Sequence, residues 1–168
     1  TWAPATLDRS LMGTRILIAP DGTSAITKGV RSFRNDNTDI LACREFILEM
    51  TQAFPADRIF LCGFEHGGSF ALFFAGAFPS LAEGVVTRAS EVWADSPLKG
   101  GVQQVPLVFI HGTADEKTPF STALAARDTY ADQGHPILWL HPLHERGHAP
   151  SARAVAQGVD WCDGMVST

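Results

Sequence analysis

The stretch RIFLCGFEHGGSFALFFAGAFP, residues 58–79, decides the fold of this chain. It opens with a short apolar run, turns through residues 63–68, and continues into a segment that is apolar almost all round until Pro79. A strand that feeds directly into a buried helix gives this pattern. Glycines two residues either side of a central residue let the chain turn sharply between the two elements. The pattern therefore predicts a strand-to-helix elbow with Glu65 at its tip, flanked by Gly63 and Gly67.

Four more apolar runs have a similar length and the same lack of alternation. Such runs are typical of strands that are buried on both faces of a parallel sheet. Helix-like segments separate them, and strands that alternate with helices predict an α/β fold. We therefore expect a mainly parallel sheet of about five strands flanked by helices. The predicted strands are residues 15–19, 58–63, 83–88, 105–112 and 135–141.

The intervening segments carry ordinary helix start and stop signals. Thr38 or Asp39 can cap a helix that ends before Pro55, and Gly134 closes a later one. The other predicted helices are residues 66–78, 121–133 and 151–165, with a short one at residues 2–11. We found no repeat and no flexible linker, so residues 1–168 are expected to form a single domain.

Composition excludes several classes of function. With 168 residues, 45% of them hydrophobic and 18% charged, the chain can bury an ordinary core. The net charge is −5 and no lysine or arginine cluster is present, so neither nucleic acid nor a membrane surface is an expected partner. No apolar run reaches the roughly 20 residues needed to span a bilayer. Three cysteines at unrelated spacings predict neither a disulfide framework nor a zinc pattern.

Chemically capable side chains follow three of the predicted strands. Catalytic groups in open α/β sheets lie at the carboxyl ends of the strands, so these side chains should meet. Glu65 and His66 follow the second predicted strand, and Thr113 and Asp115 follow the fourth. The loop after the fifth strand holds His141, His144, Glu145 and His148. The strand ends therefore offer several candidate residues for one site.

These segments together resemble the α/β-hydrolases, in the branch of carboxylesterases, feruloyl esterases and polyhydroxybutyrate depolymerases. Residues 58–79 resemble the nucleophile elbow and its helix, and RILIAPDGT, residues 15–23, resembles the strand and turn two elements upstream. HGTADEKTPF, residues 111–120, resembles the acid loop, and ERGHAP, residues 145–150, resembles the histidine loop. The resemblance implies that Asp115 is the triad acid, His148 the triad base and the His66 N–H an oxyanion donor.

The chain departs from the family pattern in two places. Glu65 stands where the family has serine, and the family's first three strands have no counterpart. The third of those strands would lie between residues 15–19 and the elbow strand. Without it, either these two strands pair directly, or another chain or a missing segment fills the gap. An open sheet edge would promote aggregation unless it were covered. A homo-oligomer or a partner chain at this edge is therefore an expectation.

Glu65 leaves several interpretations of function open. It has no hydroxyl for His148 to deprotonate, and loss of a triad serine typically costs about 10⁶ in turnover. The site could be an inert or repurposed pair of Glu65 with protonated His148, binding a small ester-like ligand. It could still hydrolyse an ester, or an alkyl substrate, with Glu65 as a carboxylate nucleophile like the elbow aspartate of dehalogenases. The chain could also be an esterase variant whose serine was replaced, or a structural subunit completed by another chain.

Other candidate residues have simpler explanations. Ser69 lies one turn beyond the elbow, where its side chain should face helix packing. His141, His144 and His148 lie on a loop interrupted by proline and glycine rather than on one helix face, so we expect no metal site and no cofactor. The pattern leaves the substrate and the cellular compartment open. Only residues 92–104 are available as a lid over the site.

Overall fold

The computed structural model describes residues 15–20, 22–27, 30–34, 36–97 and 105–167. The predicted helix at residues 2–11 and most of the predicted lid therefore lie outside the described residues. The elements are, in chain order, β1 (Ser24–Thr27), β2 (Val30–Ser32), α1 (Asn37–Ala53), β3 (Phe60–Phe64), α2 (His66–Ala77), a 3₁₀-helix (Pro79–Leu81), β4 (Gly84–Arg88), β5 (Leu107–Gly112), α3 (Phe120–Asp132), β6 (Leu138–Leu143) and α4 (Ala152–Val166).

Four of the strands form one parallel sheet in the order β3-β4-β5-β6. Each strand is followed by a helix or a crossover that returns the chain to the same end of the sheet. The predicted α/β fold with a mainly parallel sheet flanked by helices is confirmed. β1 and β2 form a separate antiparallel hairpin, which the sequence did not predict.

Residues 15–19 were predicted to form the first strand, and this prediction is wrong. They have no regular secondary structure and pair with no strand among the described residues. Ile16 is 63% exposed, and the Arg15 guanidinium instead donates a hydrogen bond to Asp160 of α4, at 2.9 Å. An apolar run becomes a strand only when a neighbour takes its backbone hydrogen bonds, and none of the described strands does so here.

As a result β3 is the outermost strand on its side of the sheet, within the part of the chain that the structure describes. Direct pairing of residues 15–19 with the elbow strand, one of the alternatives above, is not observed among the described residues. A second copy or a partner chain covering this edge stays a prediction.

The start of α1 also differs from the predicted one. Asp36 is the N-cap, and its carboxylate accepts hydrogen bonds from the N–H groups of Thr38 and Asp39. Asp39, one of the predicted caps, is buried and accepts from the N–H groups of Thr23 and Arg34, at 2.9 and 2.6 Å. Its side chain therefore fastens the β1–β2 hairpin to the helix instead of capping it.

The core lies on both faces of the sheet. On one face, side chains of β4 and β5 such as Val85 and Phe109 pack against α2 and α3. On the other face, Val86 and Val108 pack against α4. Alternate residues of each strand thus pack into the core on opposite faces of the sheet. Both faces need apolar side chains, which is why the predicted strands lack polar alternation. Within the described residues, none of the helices is long and apolar enough to cross a membrane.

The elbow joins β3 to α2 through Glu65, whose backbone has φ 51° and ψ −124°. A non-glycine residue in this region is strained, so the surrounding contacts must hold it. The Glu65 N–H donates to the carbonyl of Arg88 at the end of β4, at 3.0 Å. The N–H groups of Gly68 and Ser69 donate to the Glu65 carbonyl. These three hydrogen bonds fix the turn at both ends.

The glycines of the elbow differ in how tightly they are packed. A Cβ on Gly63 would lie 2.3 Å from the backbone of Gly67, and one on Gly68 would lie 2.0 Å from the Ser90 hydroxyl oxygen. A Cβ on Gly67 would meet nothing within 4 Å. The sharp turn therefore depends on Gly63 and Gly68, whereas the Gly67 position has room for a side chain.

We expect Gly63→Ala to lower the free energy of unfolding by at least about 1–3 kcal/mol, because the new methyl group overlaps backbone atoms that cannot move aside. Gly67→Ala is the matched control, and replacing a helical glycine in open space should stabilise by about 0.5–1 kcal/mol. Urea denaturation followed by circular dichroism measures both changes. Equal effects of the two substitutions would show that the elbow is not packed as described.

Candidate active site

Asp115 lies in the acid loop, residues 111–120, just beyond the end of β5. Its side chain is fully buried. One carboxylate oxygen accepts hydrogen bonds from the N–H groups of Lys117 and Thr118, at 3.1 and 2.8 Å. The loop thus folds back on its own carboxylate and fixes the direction in which that carboxylate points.

His148 lies in the histidine loop, residues 145–150, and its Nδ1 is 3.0 and 2.9 Å from the two carboxylate oxygens of Asp115. Nδ1–H is therefore the donor, which leaves Nε2 facing the elbow. The ring also packs against Phe64 at the end of β3, with 5.1 Å between ring centroids. Burial alone would raise the pKa of Asp115, but the hydrogen bonds from Thr118 and His148 outweigh it and hold that pKa below its ordinary value.

Glu65 reaches the same imidazole from the elbow. Its Oε1 lies 3.0 Å from His148 Nε2. This is an ion-pair distance without hydrogen-bond alignment, since Nε2 makes no hydrogen bond among the described residues. Lys117 forms an ion pair with the same carboxylate oxygen. Partial burial would raise the pKa of Glu65, but Lys117 and His148 lower it below the ordinary value, so the carboxylate is ionised at neutral pH.

The predicted site residues thus lie close together at the carboxyl ends of the strands. Glu65, His148 and Asp115 form a continuous line of side chains across the carboxyl end of the sheet. The His66 side chain is exposed and makes none of these contacts, but its N–H lies at the start of α2 beside Glu65. Ser69 is buried, and its hydroxyl accepts a hydrogen bond from the Glu91 N–H, so it packs within the helix layer.

Arg88, the last residue of β4, also belongs to the site and was not predicted. Its side chain is 1% exposed, and its Nη1 lies 3.8 Å from the Asp115 carboxylate. Its Nη2 donates to the carbonyl of Gly147, beside His148, at 2.7 Å. The sequence signal was an arginine at the end of a run that is otherwise read as a buried strand. That signal marks a buried charge at a strand end but not its partners, which lie in loops that are distant along the chain.

His111 is a second buried group that sequence reasoning passed over. Its Nε2 donates to the carbonyl of Thr118 at 2.7 Å and lies 3.6 Å from Asp115. Burial lowers the pKa of His111, which favours the neutral ring at neutral pH. The residue therefore braces the acid loop without adding charge to the site.

A cavity of about 890 Å³ adjoins His148. It lies between the histidine loop and the first turns of α4, and its polar lining includes Arg146, Arg153 and Gln157. It is half open to solvent, and Arg88 and His148 line it whereas Glu65 and Asp115 do not. In the described part of the chain, no group of three His, Cys, Asp or Glu side chains is arranged to hold a metal ion.

The lowered pKa of Asp115 has a consequence for stability. A carboxyl group with a depressed folded-state pKa contributes stability that is complete above its unfolded pKa, near 3.8, and is lost as the pH falls through the folded value. We therefore expect the melting temperature to fall steeply below about pH 4. Glu65 acts in the same direction but more weakly, because its side chain is 32% exposed.

Thermal unfolding between pH 7 and pH 2.5 measures this dependence. Asp115→Asn should melt lower at pH 7 and show a shallower loss below pH 4, because it lacks the titrating group. Asp128→Asn, which changes an exposed carboxylate on α3, is the control and should follow the unmodified chain. An undiminished slope in Asp115→Asn would exclude Asp115 as the source of the acid sensitivity.

Comparison with known proteins places the whole arrangement in a family. A sequence model described as phospholipase/carboxylesterase matches residues 41–159, which include the elbow, the acid loop and the histidine loop. A search of curated proteins finds none with significant similarity.

Solved structures give the same fold at low sequence identity. Esterase PE8 is 19% identical with a TM-score of 0.63, over 76% of this chain and 60% of PE8. SOBER1 of Arabidopsis thaliana is 18% identical with a TM-score of 0.58, over 83% of this chain and 69% of that one. The Bacillus cereus carboxylesterase is 17% identical with a TM-score of 0.58, over 86% of this chain and 73% of the carboxylesterase. This chain thus spans about three fifths to three quarters of these proteins, and at such identities they show the fold alone. The match of the family model across most of the chain shows that the chain belongs to the phospholipase/carboxylesterase family of α/β-hydrolases.

Proposed function

We propose that this chain is a carboxylic-ester-hydrolase-type protein whose serine chemistry has been lost, and whose site now binds a small ester-like ligand without turning it over. One observation carries the proposal. The atom beside His148 Nε2, where a triad places its nucleophilic oxygen, is a carboxylate oxygen of Glu65, 3.0 Å away.

A carboxylate at that position cannot carry out the ordinary first step. A serine hydroxyl gives its proton to histidine as it attacks, whereas the Glu65 carboxylate has no proton to give. If Glu65 attacked an ester carbonyl, the intermediate would be an anhydride, which is a less stable acyl group than the ester. The expected loss relative to a serine enzyme is about 10⁶ in turnover.

The charges around Glu65 oppose attack as well. Lys117 and His148 both contact Oε1, and both lower the pKa of the carboxyl group. A carboxylate that is paired with Lys117 and lies against an imidazole is a weaker nucleophile than a free one, and the imidazole has no serine hydroxyl to activate. These contacts favour a Glu65 carboxylate that is stabilised in place over one that is activated for attack.

The proposal is tested by p-nitrophenyl ester turnover in four chains: unmodified, Glu65→Gln, Glu65→Ser, and Glu65→Ser combined with His148→Ala. We expect turnover only in Glu65→Ser, at least about 10²-fold above the unmodified chain, because serine restores an acyl acceptor beside a histidine that is already aligned. Glu65→Gln controls for loss of charge without gain of a hydroxyl.

Three outcomes contradict the proposal. Absence of turnover in Glu65→Ser would show that the site lacks more than a serine hydroxyl. Turnover by the unmodified chain at a level near that of Glu65→Ser would show that ester hydrolysis was never lost. Turnover in Glu65→Ser that survives His148→Ala would show that the gained activity does not use the aligned histidine.

A second candidate is hydrolysis of an alkyl substrate with Glu65 as nucleophile, favoured by the ionised carboxylate at the elbow tip. Glu65 would attack the alkyl carbon, the bond to the leaving halide or epoxide oxygen would break, and water activated by His148 would cleave the ester formed. In His148→Ala the ester should accumulate, so a haloalkane or epoxide would add its alkyl mass to the peptide with Glu65. An unmodified peptide after incubation would eliminate this mechanism.

A further inference from the structure

One residue contacts all three catalytic segments of the site. The carbonyl of Arg88 accepts the hydrogen bond of the Glu65 N–H, at 3.0 Å. The two terminal nitrogens of its side chain reach the other segments, with Nη2 donating to Gly147 O at 2.7 Å and Nη1 lying 3.8 Å from Asp115. The elbow, the acid loop and the histidine loop therefore all meet at the end of β4.

The location of Arg88 is unfavourable on grounds of stability alone. The side chain is 1% exposed, and neither Nε nor Nη1 has a hydrogen-bond partner among the described residues. Burial lowers the pKa of the guanidinium, although Asp115 partly offsets this. Replacing both partners of a buried ion pair with well-packed apolar side chains is often neutral or stabilising, so the Arg88–Asp115 pair is not explained by stability. Val85, Val86, Val108 and Phe109 of β4 and β5 pack into apolar clusters, so apolar packing does not explain an arginine here.

The charges of the site suggest what the arginine does. From solvent inwards they are Lys117, Glu65, His148, Asp115 and Arg88, a row in which each contact joins unlike charges when the imidazole is protonated. The imidazole has a carboxylate at each ring nitrogen. A buried Asp115 without Arg88 would rely on His148 alone for a counter-charge. Arg88 supplies the second one and at the same time holds the carbonyl next to His148.

We propose that Arg88 is a positioning residue for this site. Its guanidinium clamps the histidine loop to the acid loop, so that the His148 ring meets Asp115 in a single orientation and presents Nε2 to the elbow. The proposal rests on Asp115 and His148 as the working pair of the proposed site, but not on whether the site turns over esters.

The test follows the Asp115–His148 hydrogen bond directly by proton NMR of ¹⁵N-labelled protein. A histidine Nδ1–H bonded to a carboxylate resonates far downfield, and His148→Ala identifies the signal by removing it. We expect Arg88→Met, which keeps the length but removes the charge and the donors, to broaden the signal and to raise its exchange with water at least about 10-fold, at a temperature where circular dichroism shows the variant folded. The melting temperature should also fall, because removing one partner of a buried ion pair leaves Asp115 without its guanidinium. Arg127→Met, an exposed arginine on α3, is the control and should leave the signal unchanged.

Arg88→Lys guards against misfolding of the methionine variant. A single ammonium keeps the charge but cannot contact Gly147 O and Asp115 as the planar guanidinium does, so an intermediate signal is expected. In the Glu65→Ser background, Arg88→Met should lower kcat by about 10²-fold with little change in KM, and Arg88→Lys should recover part of the loss.

An unchanged downfield signal in folded Arg88→Met, or in Arg88→Lys where only that variant folds, would overturn the proposal. If Glu65→Ser shows no esterase activity, the proposed function fails while the NMR comparison still decides the role of Arg88.

Discussion

The imidazole of His148 lies between two carboxylates, and the other charges of the site can be understood from that placement. Asp115 holds Nδ1 from the interior and Glu65 meets Nε2 from the elbow. Two carboxylates so close to one ring repel each other unless cations offset them. Lys117 does so at the surface and Arg88 does so in the core, which gives the site a balanced row of charges rather than an exposed nucleophile.

The two cations, Lys117 and Arg88, contribute unequally to the stability of the site. The Lys117 side chain is 64% exposed, so water screens its attraction for Glu65 and the pair adds little to stability. Arg88 and Asp115 are both buried, where removing either partner would leave the other as an uncompensated charge. The interior half of the row therefore sets the geometry of the histidine, whereas the surface half can rearrange when a ligand approaches.

Sequence reasoning succeeded where one local pattern fixes the structure. The elbow, the four strands of the sheet and the meeting of Glu65, Asp115 and His148 follow from apolar runs and from the rule that strand ends share an edge. It failed where the local structure depends on contacts with residues that are distant in the sequence. Residues 15–19 have the composition of a strand but pair with none of the strands that the structure describes, and Asp39 has the chemistry of a cap but is used by the hairpin. Arg88 could be seen only once the loops that it contacts were placed.

The elbow explains how such a site can arise without loss of the fold. Its turn is held by the backbone, through the hydrogen bonds of the Glu65 N–H and carbonyl and the close approach of Gly63 to Gly67. None of these contacts involves the side chain at position 65. Serine and glutamate are therefore equivalent to the fold, and only the chemistry beside His148 distinguishes them. Because Lys117 pairs with Glu65 and Arg88 lies beside Asp115, each carboxylate that contacts His148 has a cation nearby, which supports the proposed binding site.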